Sequence, residues 1–340
     1  MSITTKDIAR IANVSQSTVS RCLNNSPFAS EKTKQRILKI AEEHGFQFNA
    51  NARSLKVNKT YTIGLILPQS MVDHGFDVHS RAWQDTLIEN LTQLQFDVIV
   101  SPSFGQSNIR KLIASQKVDG FIILQPELDI ETMDYLEKSD IAYVFCKYLP
   151  DVCKNRDVDY VHADQIKGGY LAGEHLLKLG HKKILCISAD VAGGEFKLRT
   201  EGCKGAFYDH NVPFNDKLLF FGDSTFTSGF QLIKKNVDLL KSITAIFAQN
   251  DLMALGVLSA LRELHIKVPE DIAVVGYDNT ELCTYFSPNL TSIHQPYKEI
   301  ALLTCKRLIE LLENKGDHVK QKLAIQPKLV VRESTGNMLP

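Results

Sequence analysis

The chain has 340 residues, 44% hydrophobic and 23% charged, with 39 basic side chains against 39 acidic ones. These are globular averages for two or three domains of ordinary size, and they exclude large-scale disorder. No basic-then-apolar leader and no apolar run of spanning length is present, so a soluble cytoplasmic protein with no membrane association is expected.

Charge is unevenly spread. Residues 1–60 carry ten Lys and Arg against four acids, a net +6 that leaves the remainder at −6. A cationic head on a neutral chain is the electrostatic footprint of a nucleic-acid partner. The spacing there predicts three helices. In TTKDIARIANVSQSTVSRCLN, Thr4 or Thr5 caps a first helix with Asp7 near the positive end of its dipole, and Ile8, Ala9, Ile11 and Ala12 form the inward stripe. Asn13 suits a left-handed turn, Val14 plugs it, and Ser15 caps a second helix that buries Val19, Cys22 and Leu23. Gln16, Ser17, Ser20 and Arg21 face outward, a polar surface able to enter a major groove and read base edges. A third helix, capped at Ser30 and ended by Gly45, turns Ile37, Leu38, Ile40 and Ala41 inward. This completes a bundle of helix-turn-helix size. A helical hairpin with a merely solvated face shares the bare spacing; the third helix and the charge argue against it.

The run from Thr5 to Asn24 and the following HGFQFNANARSLK resemble the DNA-binding head of the lactose-repressor (LacI/GalR) family of bacterial transcription regulators. The resemblance implies that Gln16, Ser17 and Arg21, at the first, second and sixth positions of the recognition helix, read bases. Ser15, Thr18 and Ser20 match phosphate-contacting positions, and Thr5, Asn24 and Asn49 complete the expected DNA-binding set. Ala52 to Lys56 matches the family's hinge helix, with Ala52 and Arg53 at its start, Leu55 as the minor-groove wedge and Lys56 beside it. Taken alone, Leu55 equally suits a linker residue packed on the domain behind it.

Residues 57–62 read as a linker, and from Ile63 strands and helices alternate to the end. Buried-strand runs fall at 63–67, 96–100, 118–124, 141–146, 183–188, 217–221, 244–248 and 272–277. Helical stretches fall at about 80–94, 106–117, 130–138, 165–179, 198–210, 227–241, 250–265 and 297–313. Such alternation predicts an α/β protein with parallel sheets covered on both faces. A division near residue 160 gives two doubly wound lobes with a cleft between them. KGGYLAGEHLLKLGHKKILCIS, AIFAQNDLMALGVLSAL, VPEDIAVVGYDNTEL, PNLTSIHQP and LVVREST resemble the same family's periplasmic-binding-protein-like core, in which the lobes exchange strands. The implied organisation is a helix-turn-helix domain over 1–48, a hinge helix and linker over 49–62, and an effector-binding and dimerisation core over 63–340. Within that core, lobe one takes about 63–160 and 293–325, and lobe two about 161–292 and 326–340.

The resemblance places effector contacts at strand ends facing the cleft. Arg199 in RTEG matches a ligand-clamping Arg, Asn250 and Asp251 match an Asn-Asp pair at a helix start, and Asp278 in GYDN matches an acid that accepts from sugar hydroxyls. Donors opposite carboxylates suit a polyhydroxylated ligand, since each hydroxyl gives and accepts. Helix capping explains Asn250 and Asp251 equally well. Lys147 stands where many sugar-binding members carry Asp; it fits a phosphorylated or acidic sugar, or a pairing with Asp278. Ser224 replaces an aromatic platform, for which Phe226 can substitute. The first cleft loop departs from the family's pattern; Phe76, His79 and Trp83 there are candidates to line the pocket, with Trp83 reading first as core.

The seven cysteines are scattered with no CxxC pair and read as small buried hydrophobes. GxGxxG after a strand, GxxxxGK[ST], HExxH and GxSxG are all missing, the histidines show no metal spacing, and His175 and His181 read as surface residues. The expectation is a non-enzymatic regulator without catalytic residues, metal or cofactor. It should bind a near-palindromic double-stranded operator as a homodimer and answer to a small carbohydrate effector. Only GNMLP follows LVVREST, so a tetramer-forming heptad tail is not expected.

Overall fold

A computed structural model describes residues 3–23, 30–46, 59–68, 78–102, 107–314 and 318–336. It divides into two units, Met1–Thr60 and Tyr61–Pro340.

The first unit holds three helices: α1 (Thr5–Ile11), α2 (Gln16–Leu23) and α3 (Glu31–Glu43). Thr4 caps α1 in a reciprocal box. Its hydroxyl accepts from the Asp7 amide, and Asp7 accepts from the Thr4 amide at 3.0 Å. The Thr4 hydroxyl, which donates to the Asp7 carboxylate at 2.6 Å, and then the Thr4 amide hold the Asp7 carboxyl below its ordinary range. Asn13 takes the left-handed conformation that the tight turn requires, φ 49°. Ser15 then caps α2, its oxygen accepting from the Thr18 amide at 3.1 Å. Ile8, Ala9, Ala12, Val19, Cys22, Ile37 and Ala41 make the core. Arg36 donates to the Ala12 carbonyl at 2.8 Å and so ties α3 to the end of α1. Two residues expected inside are outside: Ile11 is 44% and Leu38 43% exposed. Each lies at one margin of its helix's apolar stripe, and so small a bundle closes without them.

The second unit is built on two six-stranded sheets. Its first half runs β1 (Thr62–Leu67), α4 (Val78–Gln93), β2 (Asp97–Pro102), α5 (Ser107–Ala114), β3 (Gly120–Ile123), α6 (Ile130–Lys138), β4 (Ala142–Cys146) and β5 (Tyr160–Ala163). There follow α7 (Gln165–Lys178), β6 (Ile184–Ala189), α8 (Glu195–Asp209), β7 (Leu219–Gly222), α9 (Phe226–Lys235), α10 (Val237–Leu240), β8 (Ala245–Ala248), α11 (Asp251–Glu263) and β9 (Ala273–Asp278). The chain ends with β10 (Thr291–His294), α12 (Tyr297–Glu313), β11 (Lys322–Ile325) and β12 (Lys328–Val330).

The first sheet has the order β11-β5-β4-β3-β1-β2, parallel throughout. The second is β12-β10-β9-β8-β6-β7, with only β12 antiparallel. Strands such as β6 and β9 are buried along their whole length, because helices cover both faces. In the first lobe Trp83, Leu87 and Leu91 of α4 pack with Ile300, Cys305 and Leu308 of α12 on one face, while Ile109, Met133 and Leu136 fill the other. In the second, α7 and α8 supply Leu176, Cys203 and Phe207 to one face, and α9 and α11 supply Ile233, Met253 and Leu258 to the other. The chain passes between lobes three times: from β5 into α7, from β10 into α12 and from β11 into β12. Four strands not foreseen in the sequence, β5, β10, β11 and β12, are short and lie at these crossings. The stretch expected as one helix over 227–241 breaks at Asn236, φ −123° and ψ 38°.

Candidate nucleic-acid interface and ligand cleft

In the first unit the outward face of α2 is polar and set by its cap. Gln16, Ser17 and Arg21 are exposed, and Thr18 and Ser20 half-buried. The Ser15 hydroxyl lies 2.7 Å from that of Ser17 and 2.8 Å from that of Thr18. The Gln16 amide donates to the Thr5 hydroxyl at 3.0 Å, which joins the starts of α1 and α2. An amide, hydroxyls and a guanidinium on one face of a short helix offer the donors and acceptors that base edges and phosphates present. Asn24, Asn49, Ala52, Arg53, Leu55 and Lys56 lie outside the described residues.

In the second unit polar side chains converge where strands end and the chain crosses between lobes. Lys147 follows β4 with φ 69°, and Asp278 ends β9 with φ 111°. Both are buried at strand ends, in the crevice where open α/β sheets take ligands. Gln165, at the first crossing, is the hub. Its carbonyl accepts from Arg199 Nε at 2.8 Å and from the Tyr277 hydroxyl at 2.9 Å. Its amide donates to Gln295 at 3.1 Å and to Glu195 at 3.3 Å. Gln295, at the second crossing, donates in turn to Asp278 at 2.7 Å. Arg199 also donates to the Gln249 carbonyl and lies 3.8 Å over the Tyr277 ring.

Across the cleft, Trp83 Nε1 donates to His79 Nε2 at 3.0 Å. An indole N–H only donates, so that nitrogen accepts. The same nitrogen lies 3.6 Å from Asp278 Oδ1. Trp83 itself is fully buried, in keeping with core. Burial pushes the Glu195 carboxyl above its ordinary range, while Lys147 and then Arg199 pull it down. The lobes touch here: a Cβ on Gly193 would lie 2.8 Å from the Tyr148 ring.

Lys147, Arg199 and Asp278 thus share one buried cluster. Asn250 and Asp251 are engaged otherwise. Asn250 caps α11, accepting from the Met253 amide at 2.9 Å and donating to Ser224. Asp251 accepts from the Ser292 hydroxyl at 2.6 Å, the Thr280 amide at 2.7 Å and the Cys283 thiol at 3.1 Å. It thereby anchors the turn that carries Asp278. Phe226 is 36% exposed and stacks on Phe230. Phe76 lies outside the described residues. Gln165, Glu195, Gln249 and Gln295 were not singled out from the sequence; what could have found them is polar residues at the mouths of buried strands. His175, read as a surface residue, is buried against Thr335 at 3.0 Å, and burial pushes its pKa down. Among the described residues there is no cluster that could hold a metal ion, and no helix is long and apolar enough to cross a membrane.

Comparison with known proteins gives two family matches: bacterial regulatory proteins, lacI family, over residues 4–49, and a periplasmic binding protein-like domain over 174–335. The HTH-type transcriptional repressor PurR of Aliivibrio fischeri is 34% identical over 345 residues, covering 99% of each chain. The lac repressor dimer bound to operator and the anti-inducer ONPF is similar with a TM-score of 0.80 and 27% identity, over 99% of this chain and 100% of that one. A transcriptional regulator CelR-cellobiose complex gives 0.73 and 26%, over 98% and 99%.

Proposed function

The chain belongs to the lacI family of bacterial regulatory proteins, as a DNA-binding transcriptional repressor with an effector-binding core, and from that premise we propose how it reads DNA and what it senses. Gln16, Ser17 and Arg21 read bases of a near-palindromic operator, and Thr5, Ser15, Thr18 and Ser20 contact its backbone. Two copies of the chain bind together, one per half-site. The effector is a small carbohydrate, a sugar or a sugar phosphate, held by Lys147, Arg199 and Asp278. Likeness to a regulator solved with cellobiose supports this reading.

The observation that carries it is the bonding of Arg199 and Asp278 through Gln165 and Gln295 to two of the three interlobe crossings. A ligand that exchanges bonds with those two side chains reaches the crossings directly, and so favours one arrangement of the lobes. Differential affinity for two arrangements is what allosteric control requires.

The test is operator binding by fluorescence anisotropy at several salt concentrations, with and without sugars. Arg21→Ala should cost about 1–3 kcal/mol on the specific site while leaving weak, salt-sensitive binding to random DNA. Asp278→Ala should leave operator binding intact and abolish the sugar response. Unchanged sequence preference in the first variant, or a normal response in the second, removes the corresponding assignment.

A further inference from the structure

A lysine buried beside a carbohydrate cleft poses a question of charge. We infer that the effector is uncharged, and that Glu195 is the side chain that turns away a sugar phosphate; this rests on the carbohydrate reading above.

Two basic and two acidic side chains, each more than nine-tenths buried, meet at the cleft, Lys147 at 5% exposure, Arg199 at 2%, Glu195 at 7% and Asp278 at 8%, with the equally buried His79 imidazole 3.6 Å from Asp278. Glu195 opens α8 directly after Gly194, whose φ of 72° turns the chain into the cleft. Gly193 packs on Tyr148, the neighbour of Lys147, so the end of β4 and the start of α8 are pressed together. The Lys147 ammonium is the largest charge supporting the Glu195 carboxylate, and Arg199 is the next. Arg199 is supported in return by Asp278 and Glu195. Gln165 bonds both Glu195 and Arg199, which holds the two charges on either side of one amide.

Lys147 is therefore one of two cations set against two carboxylates and not a vacant anion receptor. A phosphate monoester carries close to two negative charges and would be desolvated beside Glu195 and Asp278. A hydroxyl inserts between a cation and a carboxylate without changing the balance, because it donates to one and accepts from the other. Three amides in the same shell, Gln165, Gln249 and Gln295, have the same two-sided capacity.

The experiment is titration calorimetry on the full-length protein with matched pairs: neutral mono- and disaccharides and their 6-phosphate esters, with inorganic phosphate as the bare anion. The tightest binder is expected to be a neutral sugar, its ester at least about tenfold weaker, and inorganic phosphate without effect. Glu195→Gln should narrow the gap between sugar and ester to about threefold or less, whereas Glu195→Asp, which keeps the charge, should preserve it. An ester that binds wild-type protein as tightly as its parent overturns the inference, as does a gap that Glu195→Gln leaves unchanged. Should Glu195→Gln not fold, the wild-type pairs decide alone. Should no carbohydrate bind while another metabolite regulates operator binding, the carbohydrate reading falls, and the net charge of that metabolite decides the inference.

Discussion

Asp251 shows how a single buried acid can matter to a site without facing it. Its carboxyl is pushed up to about 7 by burial and by the neighbouring Asp278, against an ordinary value of 3.8. A carboxyl raised in the folded state favours folding below its unfolded pKa, and that contribution is lost as pH rises. Wild-type stability should therefore fall between about pH 4 and pH 7 from this group. Asp251→Asn, which cannot ionise, should cost about 1–2 kcal/mol at pH 5 and distinctly less at pH 8, measured by urea unfolding. Equal cost at both values would mean that Asp251 stays ionised throughout. At this scale the sequence was legible only where a motif marked the residue. Lys147 and Asp278 stand at strand ends and Arg199 in the first turns of α8, each in a recognisable run. Glu195 follows two glycines and Gln295 precedes a proline, with no periodicity to distinguish them from loop residues.

Between elements, the cleft depends on how closely α7 and α8 cross. A Cβ on Gly169 would lie 1.9 Å from the Arg199 carbonyl oxygen, and one on Gly202 at 1.9 Å from that of Ile166. Only glycine permits this approach, and it sets the position from which Arg199 reaches Gln165. Gly169→Ala should push α8 outward, at a cost of about 1–3 kcal/mol in stability, and weaken effector binding by tenfold or more. Thermal unfolding together with calorimetry on the variant checks both effects. Elements with strong periodicity were readable in advance: the helices at 130–138 and 297–313 have the expected limits. Short strands at the crossings were not, because three or four residues carry too little pattern to separate a strand from a loop. Gly168 and Gly169 lie within the first turns of α7, where Tyr277 and Arg199 need the space.

At the scale of the whole molecule, the order of strands in space differs from their order along the chain. The first sheet is closed by β11, which pairs with β5 more than 150 residues earlier in sequence. Asp159 fastens the returning chain, accepting from Arg307 Nε at 2.7 Å and from the Gln321 amide at 3.0 Å, while Arg307 holds the Val319 carbonyl. The second sheet is completed later still, by β12 against β10. Ending the chain before residue 320 should leave the edges of β5 and β10 bare in a single stroke. The product should then be insoluble or lack a cooperative melt, as size-exclusion chromatography and circular dichroism would reveal. During synthesis on a ribosome, neither lobe can become a finished body while the other is still being made. A nascent chain must keep two half-built sheets from sticking to their surroundings until β11 and β12 have been made, and a premature stop just before them should therefore be almost as damaging as one in the middle of the core.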